Sequence, residues 1–278
     1  MDDKKTMRFG VVKYSKRKSL SPVMHRYLMK SSGIEGEYDS HSVPPEELER
    51  FVIQSRTDTL DGYNVTTPHK ETIVQHMDRL TPEAGTIGAV NCVAVREGKS
   101  IGHNTDIIGF KKALDSLGIV VRNSRVLLFG AGGAARAVVY ALYEMGVSTV
   151  FVRNRTKKHA DSLSDILSDS NKKSLVVLND SDPLPTDVKL ALNTLSHGVF
   201  QPEELAGLDN LSFFYDLNYG TDLSGSSFTG GNIRYSDGLS MLVYQGIESL
   251  KYWLDRDIPD EGLAISTIRK LEGTIHSG

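Results

Sequence analysis

The stretch VLLFGAGGAARAVVYALYEMG, residues 126–146, decides the fold. Val126 to Phe129 is a short apolar run of the kind that forms a buried strand. Gly130, Gly132 and Gly133 follow, and Ala134 to Met145 has strong helical character until Gly146 stops it. The order is strand, turn, helix, with glycines spaced G-x-G-x-x-A. Gly130 permits the tight turn, Gly132 lets a diphosphate approach the backbone, and Ala135 keeps helix and strand close. The N-terminus of such a helix offers unpaired N–H groups to an anion. The competing reading is a glycine-rich loop that binds nothing; the full strand–turn–helix context favours a nucleotide.

The next strand names the nucleotide. In an NAD site the second strand ends near an acid that meets the ribose 2′-hydroxyl. Here Thr149 to Arg153 is followed by Asn154, Arg155 and Thr156, with no carboxylate. Arg155 suits a 2′-phosphate and Thr156 can donate to it, which favours NADP over NAD and over S-adenosylmethionine. The bland alternative is that Arg153 and Arg155 are a solvated strand end.

Further strands are predicted at Leu175 to Leu178, Leu190 to Asn193, Phe213 to Leu217 and Ile233 to Tyr235. With helical or turn segments between them they predict a parallel sheet with crossovers, over residues 108–237. Ser162 to Ser174, rich in Ser, Asp and Lys, reads as an exposed helix end plus loop. Upstream, strands are predicted at Met7 to Val12, Glu37 to His41 and Leu60 to Val65. Ala89 to Arg96 and Ser100 to His103 flank Glu97-Gly98-Lys99 as a hairpin. Helices are expected from Ser21, over Pro45 to Gln54 and over Ile107 to Leu117. Helices from Ser240 could pack on either domain.

The composition bounds the function. The chain has 278 residues, 32 basic against 35 acidic, and a net charge of -3. That argues against a nucleic-acid binder held by bulk charge and against a polybasic membrane binder. The single cysteine, Cys92, excludes an intrachain disulfide framework and argues against a zinc cluster, so no metal is expected. No run approaches the roughly 18 apolar residues of a membrane span, and the N-terminus has no apolar signal core. A cytoplasmic protein, monomer or homodimer, acting on a small molecule is expected.

Four polar clusters lie outside the nucleotide turn. DGYNVTTPHKET, residues 61–72, gathers Asn64, Thr66, Thr67, His69 and Lys70 around Pro68. KSLSP holds Ser19 and Ser21, GAVNC holds Asn91, and GHNTD holds Asn104, Thr105 and Asp106. Short uncharged hydrogen-bonding groups with one Lys and one Asp suit a polyhydroxylated ligand, whose hydroxyls each need a donor and an acceptor. Each also has a structural reading: Ser21, Thr105 or Asp106 as a helix cap, Lys70 as a surface lysine. As a set beside an NADP turn they point to a site.

SLSP, GYNVTTPHK, GAVNC, NTDIIGF, GAGGAARA, NRT and DGLSMLVYQG together resemble the shikimate dehydrogenase family, in that family's order and over nearly the whole chain. The resemblance implies an α/β protein with a discontinuous N-terminal substrate domain, residues 1–107 and 238–278, and a Rossmann-like parallel-sheet NADP-binding domain, residues 108–237. It implies reduction of 3-dehydroshikimate to shikimate with NADP, a step toward aromatic amino acids. Ser19 and Ser21 then match the carboxylate-binding serines, and Asn64, Thr66, Asn91 and Gln245 match substrate-binding positions. Lys70 and Asp106 match the catalytic pair. Gly130, Gly132, Gly133 and Ala134 match the diphosphate turn, Asn154, Arg155 and Thr156 the NADP-selective motif, and Gly238 a position near the nicotinamide. Lys18 stands where the family often has His, Cys92 where Thr is usual, and His159 where a second basic residue often holds the 2′-phosphate. A quinate-using enzyme and a non-catalytic nucleotide-binding regulator are the alternatives; retention of Lys70 and Asp106 speaks for an enzyme, and retention of Ser19 and Ser21 favours shikimate.

Overall fold

The computed structural model describes residues 6–16, 18–57, 60–196, 198, 200–220 and 233–275. In chain order the elements are β1 (Met7–Lys13), α1 (Ser21–Ser31), β2 (Gly36–Ser42), α2 (Leu48–Thr57), β3 (Gly62–Val65), β4 (Arg79–Leu80), α3 (Pro82–Ile87), β5 (Cys92–Arg96), β6 (Lys99–His103) and α4 (Asp106–Ser116). Then come β7 (Arg125–Phe129), α5 (Gly133–Glu144), β8 (Thr149–Arg153), α6 (Lys157–Asp161), α7 (Asp169–Lys172), β9 (Leu175–Leu178), β10 (Leu190–Asn193), β11 (Phe213–Asp216) and β12 (Arg234–Ser236). The chain ends in α8 (Leu239–Leu254) and α9 (Glu261–Ile275). It forms two compact units, Met1–Gly109 with Leu242–Gly278, and Phe110–Met241. Among the described residues no helix is long and apolar enough to cross a membrane.

The first unit is built on a six-stranded sheet in the order β2-β1-β3-β5-β6-β4. β1 pairs in parallel with β2 and β3, whereas β3–β5 and the β5–β6 hairpin are antiparallel. One face buries Val12, Leu48, Val52, Tyr63, Ile73 and Val93. On α8, Trp253 stacks on Phe9 at 4.6 Å and its indole N–H donates to the Val93 carbonyl at 2.9 Å. Burying a large aromatic while satisfying its one donor anchors the C-terminal helix to this sheet. Lys251 on the same helix is ion-paired with Glu248, Asp257 and Asp260, which ties the α8–α9 connection down.

The second unit carries a six-stranded, all-parallel sheet ordered β12-β11-β10-β7-β8-β9. β7 lies between β8 and β10, so the strand order reverses there; in such sheets the ligand crevice lies at the carboxyl ends of the strands flanking that point. Leu127, Phe129, Ala191 and Phe214 fill one face. The near-continuous apolar runs in β7, β10 and β11 follow from burial on both faces.

Two local expectations are corrected. Ser21 does not cap α1: it is the first helical residue, Leu20 occupies the cap position, and Ser19 Oγ accepts from the Ser21 N–H at 3.1 Å. Ser162 to Ser174 is exposed only in its second half, around α7: its first half is a 3-10 turn, Ser162–Ile166, that buries Leu163 and Ile166. Polar composition hid two anchors spaced for one turn.

Candidate active site

The residues of the first unit converge on Asp106. Lys70 leaves the loop after β3, Asn91 precedes β5, Asp106 opens α4, and Gln245 lies in α8. Lys70 Nζ donates to Asp106 Oδ2 at 2.7 Å, with side chains 17% and 6% exposed. Asn91 Nδ2 donates to the other carboxylate oxygen at 2.8 Å. The Asp106 N–H donates to Asn104 Oδ1 at 3.0 Å, so a side chain two residues upstream satisfies the first amide of α4 and the Asp106 carboxylate is left for Lys70 and Asn91. Thr105 donates its N–H to Asn91 Oδ1 at 2.7 Å, which fixes the orientation of that amide. Gln245 Oε1 lies 3.3 Å from Asn91 Nδ2. Charge-assisted bonds in a largely buried setting make this a stiff arrangement.

Asn64 is tied in beneath. Its Nδ2 donates to the Asn91 carbonyl at 3.1 Å and to Ser249 Oγ at 2.9 Å, and its Oδ1 accepts from the Tyr38 hydroxyl at 2.8 Å. Burial raises the Tyr38 phenol well above its usual value, and the neighbouring Ser21 hydroxyl opposes that shift. Tyr38 also stacks on His25 at 4.3 Å. Thr66 is half-buried, bonded through its N–H to the Val12 carbonyl at 3.0 Å, with no side-chain hydrogen bond among the described residues. His69 serves the loop itself: it is buried, with Nε2 2.8 Å from the Val43 carbonyl. Cys92 is buried, and burial pushes its thiol up to about 12, so it is held as a neutral packing group.

In the second unit the strand ends are level. Phe129 pairs with Arg153 and with Asn193, and Asn193 with Asp216, which sets Gly130, Asn154, Thr194 and Leu217 along one edge. Gly130 has φ 102°, and a Cβ there would lie 2.5 Å from Thr194 Oγ1, so only glycine fits the turn. Gly132 is exposed, and a Cβ there would meet nothing within 4 Å. Gly133 and Ala134 open α5, whose first amides have no acceptor within the helix. Open space over a glycine backbone at a long helix's N-terminus fits a diphosphate.

Arg153 and Arg155 part company. Arg153 is structural, donating to the Asp182 carbonyl at 2.6 Å. Arg155 is exposed and without a polar partner among the described residues, next to Thr156 at the start of α6. Asn154 Nδ2 donates to the Thr156 carbonyl at 2.8 Å and shapes that turn. His159 is exposed one turn along. An unpaired guanidinium on a shaped turn suits a phosphate monoester. Gly238 donates its N–H to the Asn218 carbonyl at 2.9 Å and packs so closely on Leu217 that a Cβ would lie 2.5 Å from the Leu217 carbonyl carbon.

Sequence reading missed the bracing groups. Tyr38 sits among Glu37, Asp39 and Ser40, and Ser249 between Glu248 and Leu250, and nothing in those sequence neighbourhoods singles them out. Ser249 carried one faint signal, its place four residues after Gln245 on one helix face. Asn193, Asp216 and Asn218 form a further cluster, with Asp216 Oδ1 accepting from Asn193 Nδ2 at 2.9 Å and Asn218 Nδ2 at 2.8 Å. Burial raises the Asp216 carboxyl above its usual range.

A family model described as the shikimate dehydrogenase substrate binding domain matches residues 11–93, and one described as shikimate / quinate 5-dehydrogenase matches residues 111–183. A shikimate dehydrogenase (NADP(+)) of Aquifex aeolicus is 35% identical over 98% of this chain and 100% of its own. The crystal structure of a shikimate dehydrogenase from Aquifex aeolicus superposes with a TM-score of 0.83 at 34% identity, covering 97% of this chain and 100% of that one. A shikimate 5-dehydrogenase from Thermus thermophilus, solved in complex with NADP(H) and shikimate, gives 0.79 at 32% identity, covering 95% and 99%.

Proposed function

The chain belongs to the shikimate dehydrogenase family, and on that premise we propose that it interconverts 3-dehydroshikimate and shikimate with NADP as hydride carrier, a step toward aromatic amino acids. The observation that carries the reading is the Lys70–Asp106 pair at 2.7 Å, braced by Asn91 on the other carboxylate oxygen. Oxidation of a secondary alcohol releases a hydride and a hydroxyl proton; the cofactor supplies or takes the hydride, and the protein handles the proton.

Lys70 Nζ is the proton-handling atom. In the reductive direction it delivers a proton to the carbonyl oxygen, and in the oxidative direction it receives the hydroxyl proton. Asp106 holds the amine in one place and balances its charge. Gln245 presents its amide to ring hydroxyls, Asn91, whose Nδ2 protons are engaged within the protein, offers the second lone pair of its Oδ1, and Thr66 offers a hydroxyl with no side-chain hydrogen bond among the described residues. Ser19 and Ser21 receive the substrate carboxylate. Asn64, with both amide protons already engaged within the protein, orients the Asn91 backbone and the floor of the site. Gly130, Gly132, Gly133 and Ala134 hold the diphosphate, while Asn154, Arg155 and Thr156 hold the 2′-phosphate. Gly238 shapes the wall beside the nicotinamide.

The test is NADPH oxidation with 3-dehydroshikimate, repeated with NADH and with 3-dehydroquinate. Turnover that needs NADPH and prefers 3-dehydroshikimate is expected. Preference for 3-dehydroquinate would reassign the substrate, and no turnover with either would leave a nucleotide-binding regulator of the same fold.

A further inference from the structure

Ser249 is fully buried in α8, and its hydroxyl touches three parts of the site. It lies 2.9 Å from the Gln245 carbonyl, 2.9 Å from Asn64 Nδ2 and 3.2 Å from Thr105 Oγ1. Resting on the shikimate dehydrogenase reading above, we infer that Ser249 is a positioning residue: it sets the direction of the Thr105 hydroxyl and, through it, the presentation of the Asn91 amide to Asp106.

Donor counting forces the direction. A carbonyl only accepts, so the single Ser249 proton goes to Gln245 O. Asn64 Nδ2 is identified as nitrogen by its other neighbour, the Asn91 carbonyl at 3.1 Å, so it donates to Ser249. Ser249 then has no proton left for Thr105, so Thr105 is the donor between the two hydroxyls; its other acceptors are Asn91 Oδ1 at 3.2 Å, which already accepts the Thr105 N–H at 2.7 Å, and Gln245 Oε1 at 3.5 Å, and Ser249 is the acceptor that draws the proton away from them. With its only proton spent, Thr105 Oγ1 is an acceptor toward Asn91 Nδ2 at 3.0 Å. The two Asn91 Nδ2 protons then serve its two nearer acceptors, Asp106 Oδ1 at 2.8 Å and Thr105 Oγ1 at 3.0 Å, with Gln245 Oε1 farther off at 3.3 Å. Remove the Ser249 oxygen and the Thr105 proton can swing to Asn91 Oδ1 at 3.2 Å, while one Asn64 amide proton loses its acceptor. A buried network with one member missing loosens at its next links.

The test compares wild type, Ser249→Ala, Thr105→Val and the double variant. Ser249→Ala removes one oxygen and should fold. Its kcat for shikimate oxidation is expected to fall about tenfold, the effect of one net buried hydrogen bond, with the KM for NADP unchanged. In the Thr105→Val background the same change should cost less than about twofold, because Thr105 is the link. A merely structural role would lower stability and multiply the two kinetic defects. Wild-type kcat in Ser249→Ala, or full multiplication in the double variant, would overturn the inference. Neutron crystal structures of wild type and Ser249→Ala, which locate the hydroxyl and amide deuterons, give a readout independent of substrate identity. A rotated Thr105 hydroxyl or a shifted Asn64 amide is expected, and unchanged positions of both would overturn the inference. Loss of wild-type turnover on shikimate would instead count against the reading of the substrate, and the structural comparison would still decide the role of Ser249.

Discussion

Lys70 Nζ sits 2.7 Å from Asp106 Oδ2 although the two residues are 36 positions apart, one on the loop after β3 and the other at the first turn of α4. Lys70→Ala should lower kcat by about 10²–10⁴, the usual range for losing a general acid–base group. Asp106→Asn should also impair turnover by releasing the amine. The double variant should be little worse than the worse single one, because the pair acts as a unit. Steady-state kinetics at saturating substrate decide it: near-wild-type turnover of Lys70→Ala, or fully multiplied defects, rejects the assignment.

Ser19 and Ser21 are linked through the Ser19 Oγ contact to the Ser21 N–H, and Ser21 neighbours the Tyr38–Asn64 pair. Replacing both serines with Ala should raise the KM for shikimate well above any change in the KM for NADP. Equal changes in the two constants would count against a carboxylate site here.

Arg155 stands exposed beside Thr156 while Arg153 is engaged with the 179–182 segment. Arg155→Ala should weaken NADP binding by about 1.5–3 kcal/mol, the range for a charge-assisted hydrogen bond, or roughly ten- to a hundredfold. NAD binding should barely change. Calorimetry with both nucleotides tests this, and a wild type that already prefers NAD would reject it.

The second unit was the more legible in the sequence. Its buried strands are unbroken apolar runs, and the glycine turn between β7 and α5 names its own backbone conformation. The first unit was harder, because its sheet mixes parallel and antiparallel pairs and β4 is only two residues long. Lys70, Asn91 and Asp106 were legible because polar residues crowded where a loop had no need of them. Tyr38 and Ser249 were not, because a lone hydroxyl that will be buried looks like any other until its partner Asn64, 26 positions from Tyr38 and 185 from Ser249, is in place. The Ser21 cap failed for a related reason: the backbone is already helical at Leu20, which puts Ser21 inside the helix, and Ser19, two residues earlier, supplies the oxygen instead.

Gly238 packs against the Leu217 carbonyl with no room for a side chain. Because the obstacle is backbone, Gly238→Ala must displace either β11's exit or the start of α8. A cost of about 1–3 kcal/mol in stability is expected for such overpacking, with a raised KM for NADP. Thermal unfolding and cofactor titration check both effects, and an unchanged melting temperature with unchanged KM would show that the local backbone yields freely.

His25 is fully buried between Tyr38, 4.3 Å away and stacked, and Trp253 at 5.4 Å, with neither ring nitrogen hydrogen-bonded among the described residues. Burial pushes its imidazole from 6.5 down to about 3. The folded protein therefore refuses a proton that the unfolded chain accepts below pH 6.5. Stability from this residue is fully present above that pH and declines by about 1.4 kcal/mol per pH unit below it, until the folded form itself titrates near pH 3. Between pH 7 and pH 5 the loss should be about 2 kcal/mol. His41, His69 and His103 are also lowered by burial and add slope of the same sign, so wild type must be compared with a variant. His25→Phe keeps an aromatic ring on Tyr38 and removes the titration. Urea unfolding at pH 7 and pH 5 should show the variant losing about 2 kcal/mol less than wild type over this interval. A variant that keeps the full wild-type dependence would mean that His25 takes up its proton without unfolding.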